Sequence, residues 1–416
     1  MFVRIMGSRS RVYAGINIVI YLAIMVFVAT DASPGFSTPS RRKHKGHYGN
    51  FSETQVQSSR NPKFFPILGF VTLPSSTCQT DGGTMGTCMK SKTCQRQGGM
   101  ASGSCAMNFG VCCVVNLQCS GQGEDVVTQN GTHLLQPSSY TEFCQYAIPR
   151  QDGICQIRLD FNSFNIDQGP NAVTFGDCVS DTFTVRGASN SIVGPLCGDL
   201  TGQHMYLDYG GSDKINLDLF LQSNMMQKWD ISVTMIRCDS SEKAPTGCLQ
   251  YYSTPSGMVK SFNYNNMVQL NNQDYTVCIR SNSGMRKITW KPCMTNPPTT
   301  TDFIITGGPP AVDPAGGPAV GTPLSGDNCT TDWVMVLGQN KYCGSQFPDM
   351  VTSMSQPFIL QVHFNDFELQ PPTPCPMPAL PGPANSDALN TGFCLFTKFL
   401  IFFKKIQIIR IIKLCQ

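Results

Sequence analysis

The sequence predicts an all-β protein, and three observations lead to this fold class. Only 14% of the residues are charged, and Gly and Pro are abundant, which suits short strands joined by turns. From residue 119 onward apolar and polar residues alternate with a period of two, as in Ile157–Phe161 and Ile231–Ile236. Twenty cysteines indicate that disulfides hold the chain together. We therefore expect antiparallel strands packed as β-sandwiches, preceded by a small disulfide-rich knot.

Residues 1–32 have the layout of a signal peptide. Basic residues between Arg4 and Arg11 precede an apolar run from Ile16 to Val28, and small residues follow. The alternative is an uncleaved signal-anchor helix, because the run with its flanks is nearly long enough to span a bilayer. Either way we expect the rest of the chain to be extracellular, where cysteines persist as disulfides. Three glycosylation sequons agree with this compartment, at Asn50, Asn130 and Asn328.

Residues 33–74 are rich in Ser, Pro, Gly and basic side chains and show almost no apolar periodicity. This composition predicts a disordered basic linker or pro-segment. Its cluster Arg41–Lys45 is typical of a solvated charge run, and the alternatives are a processing site or a site for anionic glycans.

Residues 75–116 are too short to bury a large core without cross-links. Zinc is the alternative to disulfides, but the segment has neither a Cys-x2-Cys knuckle nor a histidine. The cysteine spacing resembles the clip-type knots of arthropod secreted proteins, which also close on a Cys-Cys pair and often precede serine protease domains. We expect three disulfides among the six cysteines of this knot, Cys78, Cys88, Cys94, Cys105, Cys112 and Cys113.

A cysteine motif then occurs twice, which indicates a repeat. Cys-x-x-Asp, a β-rich run and Cys-Gly begin at Cys178 and again at Cys329. Residues 117–240 resemble the CUB domain, a secreted β-sandwich. The residues that carry the resemblance are Cys119, Pro137–Tyr140, Cys144, Leu159–Phe161, Cys178, Asp181, Cys197, Gly198 and Trp229.

Residues 246–395 resemble a divergent second CUB copy with a Pro/Gly-rich insertion at 296–327. The resemblance implies four disulfides: Cys119–Cys144, Cys178–Cys197, Cys248–Cys278 and Cys329–Cys343. Cys155 and Cys238 are left over and could pair with each other, and Cys293 and Cys375 pose the same problem.

The tail at residues 396–416 departs from everything before it. Its apolar residues are interrupted by Lys398, Lys404, Lys405, Arg410 and Lys413, which excludes a clean membrane span. The composition is typical either of a basic segment on a membrane surface or of translated AT-rich non-coding sequence.

The CUB resemblance also implies a calcium site built from three acidic side chains. Asp167 and Asp181 match the first two positions, and Gln222–Asn224 stands in the third, so one carboxylate is lost. In the second copy Asp332 and Asp387 match, but Thr306 replaces the first acid. The alternative is that Asp181 caps a turn. No other cofactor is expected.

No catalytic arrangement is present in the sequence, which lacks the serine protease, zinc protease and phosphate-loop motifs. His133, His204 and His363 have no adjacent Ser or Cys nucleophile, and we interpret them as structural. A net charge of +3 without a basic, aromatic stripe argues against nucleic acid. We predict a secreted, non-enzymatic protein whose CUB surface binds an extracellular protein or glycan. The alternative is a non-catalytic regulator of an extracellular serine protease cascade, which the knot suggests.

Overall fold

A computed structural model describes residues 76–170, 176–190, 194–223, 227–254, 256–266, 268–282, 284–293, 302–305, 323–366 and 390–399. These residues all belong to one compact part of the chain. They form twenty-four strands and one α-helix of six residues, so the predicted all-β class is confirmed. No helix of the described residues is long and apolar enough to cross a membrane. The predicted signal peptide and basic linker, with Asn50, lie outside the described residues.

The knot is a small sheet held by three disulfides. They join its first cysteine to the fifth, its second to the fourth and its third to the sixth, as Cys78–Cys112, Cys88–Cys105 and Cys94–Cys113. Its elements are β1 (Thr77–Gln79), β2 (Met85–Met89), α1 (Ser91–Arg96), β3 (Met100–Cys105) and β4 (Gly110–Gln118).

The first sandwich, residues 119–238, packs two sheets face to face. One sheet has the order β5-β7-β12-β9, and the other places β6, β13 and β8 side by side with β10 and β11 against β8. Its strands are β5 (Glu124–Val126), β6 (Thr132–Leu135), β7 (Phe143–Pro149), β8 (Ile154–Ile166), β9 (Asp181–Arg186), β10 (Gly198–Asp199), β11 (His204–Asp208), β12 (Lys214–Leu221) and β13 (Lys228–Arg237).

The knot is not a separate module, because β4 pairs in parallel with β6 from Val115↔Thr132 to Gln118↔Leu135. The knot and one layer of the first sandwich thus share a nine-stranded sheet. The predicted boundary between residues 116 and 117 falls inside β4. At this junction Gly131 has a φ of +73°, and a Cβ there would collide with Thr87 Oγ1.

The second sandwich, residues 248–399, repeats the strand order of the first. One sheet contains β14-β16-β23-β20 and the other β15-β24-β17-β22, in the places of β5-β7-β12-β9 and β6-β13-β8-β11. Its strands are β14 (Gln250–Tyr252), β15 (Ser256–Lys260), β16 (Gln273–Ile279), β17 (Ile288–Pro292), β18 (Phe303–Ile304), β19 (Pro323–Ser325), β20 (Trp333–Val336), β21 (Lys341–Gly344), β22 (Val351–Ser353), β23 (Phe358–Phe364) and β24 (Gly392–Phe399).

The repeat extends to the pairing direction. The first strand of each order, β5 or β14, runs parallel to its neighbour, although the sequence predicted antiparallel strands only. Short β18 and β19 fall within the predicted insertion 296–327, and both pair with strands of the second sandwich.

The alternating residues build the two cores. In the first, Phe161, Phe164 and Phe183 meet edge to face with ring centroids 5.2–5.8 Å apart. Trp229 is buried beside them in the same cluster. In the second, Trp290 and Phe358 are fully buried. Aromatic contacts of this kind contribute beyond the apolar area that they bury.

The last strand extends past the predicted end of the second domain. Thr397 and Phe399 of β24 are buried, and β24 pairs with β17 as far as Phe399↔Ile288. The predicted boundary between residues 395 and 396 falls inside β24, since the alternation that fills the core continues through Phe399. The remaining tail, 400–416, lies outside the described residues.

Candidate functional site

The disulfides follow the repeat, and one of them departs from the pairing that the sequence predicted. The structure pairs the same four couples that the CUB resemblance implies and joins Cys155 to Cys238. Cys293 pairs with Cys394, a cysteine just before the atypical tail that the sequence analysis did not consider as its partner. Cys375 lies outside the described residues.

Asp181 is fully buried and held by hydrogen bonds to both carboxylate oxygens. Oδ1 accepts from the backbone N–H groups of Gln222 and Ser223, each at 2.9 Å. Oδ2 accepts from Ser223 Oγ at 2.8 Å, Asp167 N at 3.1 Å and Gln227 Nε2 at 3.2 Å. These neutral donors compensate the buried charge, so Asp181 connects the loops at one end of the first sandwich.

The predicted calcium ligands do not fit a cation in this arrangement. Both oxygens of Asp181 face donors, and Asp167 Oδ2 accepts from Ser180 Oγ at 2.6 Å. A hard cation needs six to eight free oxygen ligands. No group of three or more His, Cys, Asp or Glu side chains that could hold a metal is found among the described residues. Asn224 of the predicted third position, Asp387 and Thr306 lie outside them. The turn-capping alternative describes Asp181 better.

The two described sequons occupy different surroundings. Asn328 is exposed in a 3-10 turn. Asn130 is half-buried, and its Oδ1 accepts the backbone N–H of Met235 at 2.7 Å. Glycosylation at either residue stays a prediction.

A groove of about 460 Å³ runs over the outer face of the nine-stranded sheet. Its floor is made by outward positions of β8 and β13, and the knot forms one wall. The segment between the sandwiches forms the other wall. The lining residues are Thr77, Met85, Gly86, Gly131, His133, Arg158, Asp160, Asn162, Tyr206, Ser232, Thr234, Ile236 and Glu242. This volume is in the range of sites that hold a small molecule or a few side chains.

His133 connects the groove floor to the knot wall. Its Nδ1 lies 2.8 Å from Asp230 Oδ1 and its Nε2 lies 2.9 Å from the carbonyl oxygen of Met85. Both partners are acceptors, so only the protonated ring can donate to the two of them at once. Burial works against the charge, but the bonds to Asp230 and Met85 raise the pKa of His133 overall.

Arg158 and Asp160 form an ion pair on the groove floor. The guanidinium of Arg158 donates to both oxygens of Asp160, at 2.6–3.0 Å, and to Tyr206 Oη at 2.9 Å. Burial raises the pKa of Tyr206, so its hydroxyl stays neutral at physiological pH. Asp160 and Glu242 keep partly exposed carboxylates at the groove surface. The groove therefore presents a rigid, alternately charged floor.

The same sheet continues into the contact between the sandwiches. Strand β11 turns its outward face to the second sandwich, where Tyr206 N donates to Leu249 O at 2.7 Å. His204 Nε2 lies 3.0 Å from Tyr251 O. Burial first, and Arg158 second, lowers the pKa of His204 to about 4. This histidine is neutral and structural, as predicted, and one wall of the groove is fixed by the contact.

The sequence predicted the strands that carry the groove, but it did not predict the groove itself. The alternation in Ile157–Phe161 already places Arg158 and Asp160 on one outward face. The strand order that brings His133 beside Asp230, 97 residues away, has no local signal.

Comparison with known proteins matches one part of the chain. The family model of the animal CUB domain matches residues 245–398, the second sandwich, whereas the quoted resemblance was strongest in residues 117–240. No curated protein matches the chain.

Solved structures with similarity to the chain include two CUB pairs. The CUB1-EGF-CUB2 domains of rat MASP-1 are 13% identical, with 68% of this chain and 99% of that chain covered at a TM-score of 0.22. The corresponding domain of human MASP-1/3 is 13% identical, with 64% and 98% covered at a TM-score of 0.22. These scores are too low to support an inference. The family model is the comparison that bears on the chain, and it matches residues 245–398 to the animal CUB domain.

Proposed function

We propose that the chain is a secreted, non-enzymatic binding protein that recognises an extracellular protein partner through the groove beside the knot. The observation that carries this proposal is a groove with a rigid charged floor. Both of its walls are fixed, one by β4 and His133 and the other by the contact between the sandwiches. Preorganised sites of this kind lose little conformational entropy on binding.

Two further features support the proposal. The CUB domain and the nine disulfides among the described residues are typical of extracellular proteins. The charges of Arg158 and Asp160 are paired with each other, so they offer specific hydrogen bonds to a partner side chain without a large net field.

The test uses the full secreted chain as bait in extracellular fluid. Thr234→Arg places a long cation in the groove floor, and Thr184→Arg on β9 is the matched control on the outer face of the opposite sheet. We expect a partner that the native chain and Thr184→Arg retain and Thr234→Arg loses. A partner retained equally by both variants would place the binding surface elsewhere. A captured serine protease would support the narrower role of a non-catalytic cascade regulator.

A further inference from the structure

The groove-bearing face has a counterpart on the second sandwich, which described elements cover only at one end, where Tyr264 and Cys293 bury Cys394. The sheet β15-β24-β17-β22 has the same strand order as β6-β13-β8-β11, whose outer face carries the groove. We name the outward-facing side of β15, β24 and β17 the lysine face. Its outward positions are Ser256, Met258, Lys260, Phe396, Lys398, Thr289 and Lys291, besides Cys394 in its disulfide.

The centre of the lysine face is apolar and open. Met258 on β15 pairs with Phe396 on β24, and their exposed fractions are 57% and 38%. On the other side of β24, Phe396 pairs with Lys291. An exposed aromatic residue with a cation beside it is typical of a recognition surface.

Three cations surround this centre without a partner acid. Among the described residues, Lys260, Lys291 and Lys398 make no ion pair. Lys260 Nζ lies 5.3 Å from the ring centroid of Tyr264, whose hydroxyl donates to the buried Asp302 at 3.0 Å. The outward positions of the face contain no acid, and the exposed Asp349 precedes β22.

The spacing of the three lysines selects the kind of partner. Strands lie about 4.8 Å apart and outward residues about 6.8 Å apart along a strand, so the lysine Cα atoms are spread over roughly 8–14 Å. Lysine is depleted in protein interfaces, and two apolar side chains are too few to insert into a membrane. Point cations spread on a rigid, flat sheet suit a polymer with repeated anionic groups.

We propose that the lysine face binds a sulfated polysaccharide of the extracellular matrix. Its anionic groups contact Lys260, Lys291 and Lys398, and a sugar ring covers Phe396 and Met258. This surface is distinct from the groove, and the proposal does not depend on the partner of the groove.

The test measures binding of the full secreted chain to immobilised heparin at about 0.15 M salt, a physiological ionic strength. Lys291→Glu with Lys398→Glu reverses two charges on the face. The matched control, Lys90→Glu with Lys92→Glu, makes the same change of net charge on two exposed lysines of the knot. The rest of the chain, including its basic tail, is identical in both variants.

We expect the face variant to bind about tenfold more weakly or worse, with a shallower dependence on salt, and the knot variant to bind nearly as the native chain does. Equal losses in the two variants would show an unspecific charge effect and overturn the proposal. It would also be overturned if the native chain bound phosphatidylserine vesicles or polyglutamate but not heparin. Phe396→Ser, with a near-native unfolding temperature, should weaken binding without changing the salt dependence.

Discussion

Asp181 and Asp332 occupy the same position in the two sandwiches. Each follows the first cysteine of a Cys-x-x-Asp motif, and each accepts through Oδ1, at 2.9 Å, the backbone N–H of the residue after a central strand. That residue is Gln222 after β12 and Asn365 after β23. Both carboxylates are buried. The repeated motif in the sequence is therefore a repeated structural device that ties a loop to a strand end.

Because both oxygens of Asp181 accept hydrogen bonds, we expect an isosteric substitution of this residue to lower the free energy of unfolding strongly. Asp181→Asn replaces one acceptor oxygen by an amide NH2 group that faces other donors. The unfolding free energy should therefore fall by about 3 kcal/mol. The exposed Asp239→Asn is the control and should change it by less than about 0.5 kcal/mol. Denaturant titrations with intact disulfides would measure both.

The same titrations address calcium. Because donors occupy both oxygens of Asp181, we expect the midpoint of the native chain to be the same in Ca²⁺ and in EDTA. A midpoint raised by Ca²⁺ in the native chain but not in Asp181→Asn would contradict this and restore the cation site that the CUB resemblance implies.

The protonated ring of His133 predicts that the attachment of the knot weakens as the pH rises above 6.5. Its pKa in the folded chain is raised above the ordinary 6.5, so its stabilising effect is complete below pH 6.5 and is lost as the pH rises through the folded value. Hydrogen exchange of the β4 and β6 amides should therefore become faster, beyond the intrinsic pH effect, as the pH rises above 6.5. In His133→Gln that additional change should be absent, and an unchanged profile in the variant would exclude His133 as its cause.

The lowered pKa of His204 predicts the opposite pH dependence: the protein should lose stability as the pH falls, through the contact between the sandwiches. The pKa of His204 in the folded chain is about 4 and in the unfolded chain about 6.5. The unfolded state therefore takes up the proton first, and stability falls from pH 6.5 down to about pH 4. The loss at pH 4 should approach 3 kcal/mol (roughly 1.4 kcal/mol per pKa unit). Thermal unfolding of the native chain and of His204→Asn would check this, since the variant should lose that part of the acid sensitivity.

Phe399 and Phe396 test whether β24 continues past residue 395. Phe399 is 7% exposed and packs on Phe358, with ring centroids 5.2 Å apart, whereas Phe396 faces outward. Phe399→Ala should lower the unfolding free energy by about 3 kcal/mol, and Phe396→Ala by less than about 1 kcal/mol. Equal effects would mean that the strand ends earlier.

The sequence predicted the fold where local pattern determines structure. Alternation in Ile157–Phe161 and Ile231–Ile236 identified β8 and β13, because one face of each strand must be apolar. It did not predict the parallel pairing of β4 with β6, since contacts between such strands have no turn signature. The basic composition after Phe393 also concealed strand β24, because it suggested an atypical tail. Lys398 is nevertheless compatible with a strand, since it points outward.

The candidate site was less predictable than the fold. The groove and the lysine face are formed by outward residues, which the core does not constrain. Lys291 and Lys398 are far apart in the sequence and meet only through the pairing of β17 with β24. Their shared role depends on strand order, which period-two alternation does not encode.

In each sandwich one disulfide joins two neighbouring strands of a sheet, and these two disulfides also bear on how the protein responds to a pulling force. Cys155–Cys238 and Cys293–Cys394 enclose spans of 83 and 101 residues, and covalent bonds exclude those spans from the load-bearing path. Tension between the knot and β24 would pass through the short stretches that join successive cross-links. The two enclosed spans can therefore not be drawn out until a covalent bond breaks. If the chain links two components of an extracellular matrix, these two spans add nothing to its length under load while their disulfides are intact.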